Sequence, residues 1–203
     1  MMLVLALLCG MQFGEVKLFH ESLMVVIDGD SNTDLWDTIQ QSWPDQTLAH
    51  PGMIESFYFD MTQPVGGKEV YTMIANAPTL IDPKFRAGGI CIMLGGYNDI
   101  GHGHADQDST YRLIREFCLA RQAVGWYMIC MTYPNGGLSV TNDSIRANWA
   151  TFADEMIDLG ADPLIGETAD HYNPVYFYDP VHMSVTGIGI IADSVYARLW
   201  ALR

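Results

Sequence analysis

The sequence lacks any apolar run that approaches the roughly 18 residues of a membrane span. It is also poor in cations, with ten lysine and arginine residues against 24 aspartate and glutamate residues and a net charge of −14. Binding to nucleic-acid phosphates or to anionic membrane surfaces requires clustered cations, so this composition argues against both. Hydrophobic residues make up 49% of the chain and charged residues 17%, which excludes a disordered chain.

Cysteine is scarce, and its spacing carries no metal or disulfide pattern. The four cysteines, Cys9, Cys91, Cys118 and Cys130, form no CxxC pair. Cys91 and Cys130 lie in apolar runs, where a free thiol behaves as a small hydrophobic group. We therefore expect neither a disulfide framework nor a cysteine zinc site.

The first ten residues, MMLVLALLCG, contain no basic residue and no small-x-small cleavage site. They do not make a convincing secretory signal, so we expect a soluble protein and leave its compartment open. Residues 1–22 remain a segment whose role the sequence does not decide. Residues 23–203 have a length that suits one domain.

Apolar runs alternate with helical patterns from residue 23 onward. Leu23–Ile27, Ile90–Leu94 and Trp126–Met131 have the composition of strands that are buried on both faces, as in a parallel sheet. Asp108–Val124 has helical periodicity and ends at Gly125. This alternation predicts an α/β fold, with a parallel sheet of about five strands and helices on both faces.

The remaining elements are less regular in pattern. Further strands are predicted over Met53–Phe59 and Pro163–Ile165. Further helices are predicted over Asp34–Ser42 and Glu69–Ala77, from Asn142 or Asp143 to Leu159, and from Ser184 or Thr186 to about Leu202.

Polar residues follow the predicted strands, where loops of a parallel sheet meet at one edge and ligands bind. Ser31 follows the first strand, and Asp179 and His182 lie near the end of the chain. Ser31 could be a nucleophile, His182 the base that removes its proton, and Asp179 the group that fixes the imidazole. Ser31 and His182 also have structural interpretations. Asp30, Ser31 or Asn32 could cap the helix that is predicted to begin near Asp34, and His182 could be a structural histidine whose hydrogen bonds are satisfied.

Acyl transfer also needs hydrogen-bond donors for the oxyanion of the tetrahedral intermediate. The backbone N–H groups of Ser31 and Gly67 and the side-chain amide of Asn98 could supply three. Gly67 suits this position because a glycine lets the backbone approach the substrate closely.

These residues occur in an order that resembles the SGNH hydrolases, also called the GDSL esterase/lipase family. Gly29-Asp30-Ser31 is similar to the first block of that family, and Gly67 to the glycine of the second. Gly96-Tyr97-Asn98-Asp99 is similar to the third block, and Asp179-Pro-Val-His182 to the last. The second block departs from the family pattern, because Lys68 and Glu69 follow its glycine, and Gly66 is an alternative donor.

The resemblance implies a three-layer α/β/α, flavodoxin-like sandwich with Ser31, Gly67, Asn98 and His182 as functional residues. Together with the residue pattern it predicts a serine esterase for short-chain carboxylic esters that needs no cofactor and no metal. Carbohydrate O-acetyl groups are one candidate substrate, suggested by tyrosine-rich loops that could equally be core. A lipase or thioesterase of the same family, and a non-catalytic carbohydrate-binding module, remain alternatives. Acyl length, the alcohol and the oligomeric state stay open.

Two other patterns, which would indicate metal sites, fit the sequence less well than the hydrolase blocks do. The segment from Asp28 to Asp34 resembles the start of a calcium loop, but Thr33 replaces its glycine and Ile39 its final glutamate. His102 and His104 could form a zinc site with Asp99 and Asp106. A solvated loop is the interpretation that we favour for so short a tract.

Overall fold

The computed structural model describes residues 22–34, 42–134 and 136–203. Residues 1–21, and residues 35–41 of the predicted helix over 34–42, lie outside the described residues. Among the helices of the described part, none combines the length and the apolarity needed to cross a membrane.

Five parallel strands form one sheet in the order β2-β1-β3-β4-β5. They are β1 (Leu23–Gly29), β2 (Phe57–Asp60), β3 (Ile90–Leu94), β4 (Tyr127–Met131) and β5 (Glu155–Ile157). This is the flavodoxin-like order, in which the direction of strand addition reverses between β1 and β3. The predicted α/β fold with about five parallel strands is therefore confirmed.

Helices cover both faces of the sheet. Over the described residues they are α1 (Trp43–Leu48), α2 (Met53–Ser56), α3 (Val70–Leu80), α4 (Tyr97–Gly101), α5 (Gln107–Val124), α6 (Ser139–Asn148) and α7 (Val185–Ala201). Helices α1 and α7 contact each other on one side, and α5 contacts both α3 and α6 on the other. The molecule therefore has three layers.

The strands alternate their side chains between two cores, as a period of two residues requires. Val25 and Ile27 of β1 face the core that includes α1 and α7. Val26 of β1 and Cys91 of β3 face the core that includes α3 and α5. Since every residue of β3 is buried, its apolar run shows no polar break.

Two predicted strands differ from the structure. The segment Met53–Phe59 divides into the short helix α2 and the start of β2. The predicted strand Pro163–Ile165 is a turn, and the fifth strand is Glu155–Ile157, inside the predicted helix that ended at Leu159. With only three residues, including Glu155 and Met156, β5 has a composition that also favours a helix.

A buried ion pair ties the loop after β2 to β1. The Lys68 ammonium lies 2.5 Å from Asp28 Oδ1 and donates to the Gln63 carbonyl at 2.8 Å. Both charged side chains are at most 5% exposed. Burial raises the pKa of Asp28, and the neighbouring Lys68 ammonium opposes that rise. Each charge is thus tolerated in the interior because of the other.

We expect Lys68→Met to lower the free energy of unfolding by about 3–5 kcal/mol, because it leaves the Asp28 carboxyl buried without its partner. Denaturant unfolding measures this change. Lys84→Met is the control, since the Lys84–Asp60 pair has a lysine side chain that is 28% exposed and should be worth at most about 1 kcal/mol. Equal losses in the two variants would contradict the burial argument.

Candidate active site

The turn after β1 carries Ser31. Gly29 ends the strand, and a Cβ there would lie 2.2 Å from Thr33 Oγ1, so only glycine allows the turn to fold back this closely. The Thr33 and Asp34 amides both donate to the Asp30 carbonyl. This tight turn directs the chain away from the sheet edge directly after the strand.

Ser31, His182 and Asp179 form one continuous chain of hydrogen bonds. His182 Nε2 lies 3.0 Å from Ser31 Oγ, and His182 Nδ1 lies 2.8 Å from Asp179 Oδ2. The other Asp179 oxygen accepts from the backbone N–H groups of Val181 and His182, each at 2.7 Å. The structure therefore brings the three predicted catalytic side chains into direct contact.

Asp179 is ionised in this arrangement. Burial acts to raise its pKa, but the hydrogen bonds from the His182 ring and from the two backbone N–H groups outweigh burial and hold the pKa below its usual range. An ionised carboxylate at Nδ1 fixes the imidazole so that Nε2 faces the serine hydroxyl.

The His182 segment is itself held by a short hairpin. Phe177 and Met183 form an antiparallel bridge, and the Tyr178 amide donates to the His182 carbonyl at 2.8 Å. Ser184, one of the two caps that the sequence predicts, is the N-cap of α7 and accepts from the Gly187 amide. The histidine thus lies between two fixed elements.

Asn32 is a site residue that the sequence analysis missed. Its side-chain amide donates to the Val181 carbonyl at 3.1 Å and to the Tyr133 hydroxyl at 2.6 Å. Its carbonyl oxygen accepts from the Met183 amide at 3.1 Å. Asn32 therefore joins the serine turn directly to the histidine segment, and no local sequence signal beyond a possible cap marks this role.

Residues 61–69, between β2 and α3, form the second-block loop, which lies against the serine turn, the turn after β1 that carries Ser31. The Val65 amide donates to the Gly29 carbonyl at 3.1 Å, and the Gly66 amide donates to Asp34 Oδ2 at 3.3 Å. A Cβ on Gly66 would lie 3.9 Å from the Ser31 Cβ. Gly67 has φ of +74°, a conformation that favours glycine, and a Cβ there would meet open space.

Asn98 is brought to the same loop from β3. It lies in α4, and its side-chain amide donates to the Lys68 carbonyl at 3.1 Å. The next residue, Asp99, accepts from the Val70 amide at 2.9 Å. The predicted oxyanion residues Gly67 and Asn98 thus lie on two segments that are joined beside the serine turn.

His102 and His104, which follow the third block, contact Glu69 and not the aspartates that sequence proximity suggests. Asp99 binds the start of α3, and Asp106 caps α5 by accepting from the Ser109 amide. His102 Nδ1 and His104 Nδ1 instead lie 2.6 Å and 2.9 Å from Glu69 carboxylate oxygens. Hydrogen bonds from these rings hold the pKa of Glu69 below its usual range.

The fold of this chain is similar to that of known GDSL-type hydrolases. In a comparison with solved structures, a lipolytic protein of the G-D-S-L family from Veillonella parvula has a TM-score of 0.70 at 19% identity, over 87% of this chain and 97% of that one. The chain has the SGNH/GDSL hydrolase fold. The predicted resemblance is confirmed at the level of the fold.

Two further solved structures share this SGNH/GDSL fold. A variant of an acetyl-xylooligosaccharide esterase from Geobacillus has a TM-score of 0.67 at 13% identity, over 87% of this chain and 94% of that one. A psychrotrophic esterase from Pseudoalteromonas, inhibited by monoethylphosphonate, has a TM-score of 0.67 at 12% identity, over 89% and 99%. No protein-family model matches the chain, and no curated protein matches it.

Asp30, beside Ser31, is fully buried. Burial raises its pKa to about 7, although hydrogen bonds from the backbone N–H of Asn32 and from the Tyr133 hydroxyl act to lower it. The folded chain therefore keeps this proton between about pH 4 and pH 7, where the unfolded chain has released it. The stability that this group contributes is full below the unfolded pKa and is lost as the pH rises through about 7.

We expect wild type to lose about 4 kcal/mol more unfolding free energy than Asp30→Asn between pH 4 and pH 8, because only wild type has the titrating carboxyl. Denaturant unfolding of both proteins across this range gives the difference. Taking the difference removes the titration of all groups that the two proteins share. Parallel curves for the two proteins would show that Asp30 is ionised in the folded state.

Proposed function

We propose that the chain is a serine esterase that hydrolyses short-chain carboxylic esters. The observation that supports this most directly is the hydrogen-bonded chain from Ser31 Oγ through the His182 ring to Asp179. A hydroxyl, an imidazole and an ionised carboxylate in this order are what nucleophilic acyl transfer requires.

In the proposed reaction, Ser31 Oγ attacks the ester carbonyl while His182 Nε2 takes its proton. Asp179 stabilises the imidazolium that forms and does not itself take the proton. His182 then gives the proton to the leaving alcohol, which leaves an acyl group on Ser31. Water, deprotonated by the same histidine, then attacks the acyl carbon. The bond from that carbon to Ser31 Oγ breaks, the acid leaves, and His182 returns the proton to Oγ.

Three donors are proposed for the oxyanion: the backbone N–H groups of Ser31 and Gly67 and the side-chain amide of Asn98. The choice of Gly67 over Gly66 is supported by the Gly66 amide, which already donates to Asp34. The Asn98 amide group carries two N–H bonds, and one is directed to the Lys68 carbonyl. The second is left to face the substrate.

Carbohydrate O-acetyl esters are the substrate class that we propose within this function. Tyr172 and Tyr178 both precede His182 in the same loop and are 76% and 59% exposed. Exposed aromatic rings offer a flat apolar face for a sugar. A cleft of about 470 Å³ runs along the second-block loop, with Gly66, Gly67 and Thr72 in its lining. Ser31 and His182 do not line this cleft, so its proposed part is to hold a portion of the substrate beyond Gly67.

We expect Ser31→Ala to abolish labelling by a fluorophosphonate probe and to lower the hydrolysis of p-nitrophenyl acetate at least about 1,000-fold, because the attacking oxygen is removed. Mass spectrometry locates the label, and the absorbance of p-nitrophenol follows the rate. Ser139→Ala, at an exposed position where α6 begins, is the control and should behave as wild type.

Retained hydrolysis in Ser31→Ala would refute the assignment of the nucleophile. Absence of both labelling and hydrolysis in wild type, with binding of acetylated oligosaccharides, would favour the carbohydrate-binding module. Esters of increasing acyl length, and acetylated sugars, assayed with the same proteins, separate a short-chain esterase from a lipase.

We expect Asn32→Ala to lower kcat by about 10- to 100-fold with little change in KM, because it releases the histidine segment from the serine turn. Asn148→Ala is the control, since its amide donates to the Ser144 carbonyl at an exposed position. Steady-state kinetics and the rate of fluorophosphonate labelling measure the effect. A variant that loses thermal stability but keeps its wild-type labelling rate would limit Asn32 to a role in folding.

A further inference from the structure

Three potential metal ligands converge beside the second-block loop. Glu69, directly before α3, has a side chain that is 9% exposed, whereas His102 and His104, just after α4, have side chains that are 47% and 64% exposed. One ligand atom from each of the three lies within 4.8 Å of the other two. A buried carboxylate thus faces two imidazoles that are open to solvent.

The backbone that carries these side chains is held in place. The His102 amide donates to the Asn98 carbonyl at 2.9 Å, and the His104 amide donates to the Asp99 carbonyl at 2.9 Å. The Glu69 carbonyl accepts from the first turn of α3. Since both segments are fixed, the three side chains need only small rotations to share one ion.

We propose that Glu69, His102 and His104 bind a Zn²⁺ ion. Two imidazole nitrogens and one carboxylate oxygen are a common set of three protein ligands for zinc, with a fourth position left for water. The solvent exposure of both histidines leaves that fourth position accessible. No cysteine contributes to the set.

The present separations are hydrogen-bond distances, which are shorter than the distances between the ligands of a coordinated ion. Ligand atoms of a tetrahedral zinc site lie about 3.4 Å apart, given metal–ligand bonds of about 2.1 Å. The two histidine Nδ1 atoms now lie 2.6 Å and 2.9 Å from the Glu69 oxygens with which they pair. An outward movement of the exposed rings by less than about 1 Å would open the space for zinc.

The donor set also selects among metals. Calcium and magnesium prefer oxygen ligands throughout, and this cluster offers only one carboxylate. Imidazole nitrogen suits zinc and its first-row neighbours. Calcium should therefore not compete for the site.

The proposed ion would join the two segments that carry Gly67 and Asn98. Glu69 follows Gly67 by two residues, and His102 ends the helix that contains Asn98. The proposal does not depend on esterase activity, because zinc binding is measured without substrate.

The test is a titration of the full chain, freed of metal with EDTA and transferred to metal-free buffer, with zinc chloride against a chromophoric chelator. We expect one zinc per chain and a rise in the thermal unfolding temperature on loading. His102→Gln and His104→Gln should each weaken binding at least about 100-fold, a larger effect than the loss of an outer-shell partner. Both positions are exposed, and circular dichroism checks that each variant is folded.

Three controls define the site. His171→Gln and Cys9→Ser, which remove other potential ligands, should keep wild-type affinity, and excess calcium chloride should leave zinc binding unchanged. Replacement of zinc by cobalt should give visible absorption bands that are lost in both histidine variants. The proposal is overturned if the chain takes up no zinc, or if His102→Gln and His104→Gln bind it as tightly as wild type.

Discussion

The side-chain amide of Asn32 is the contact on which the arrangement of the candidate site depends. It joins the turn that carries Ser31 to a segment 149 to 151 residues further along the chain, through one donated and one accepted hydrogen bond. The amide is buried, so water does not compete for these bonds. Ser31 and His182 lie far apart in the chain and meet at 3.0 Å. The two bonds of Asn32 hold their backbones in a fixed relation to each other.

Buried charge holds the second-block loop on the other side of the serine turn. The Lys68–Asp28 pair anchors this loop to β1, although an apolar pair of similar volume would avoid the cost of desolvation. The charged pair fixes the position of the loop more narrowly than an apolar pair would, because the Lys68 ammonium must bond both the Asp28 carboxylate and the Gln63 carbonyl. The residues that depart from the family pattern, Lys68 and Glu69, thus both help to attach the loop to its neighbours.

The sequence predicts the parts of this structure that follow from period and topology. The apolar runs of β1, β3 and β4 indicate strands buried on both faces, and parallel strands bring the loops with Ser31, Asn98 and His182 to one edge. The prediction failed at β5, because three residues are too few to show a period. It also missed Asn32, whose partners beside His182 are backbone groups that become neighbours only in the folded chain.

His102 and His104 illustrate why nearness in sequence is a poor guide to hydrogen-bond partners. Asp99 and Asp106 lie within a few residues of His102 and His104, yet each binds the N-terminal end of a helix, where unpaired backbone N–H groups attract a carboxylate. Both aspartates are therefore hydrogen-bonded to helix N-termini and not to the histidines. The acid that remains for the histidines, Glu69, comes from a segment more than 30 residues away, and only the packing of α4 against the second-block loop brings it there.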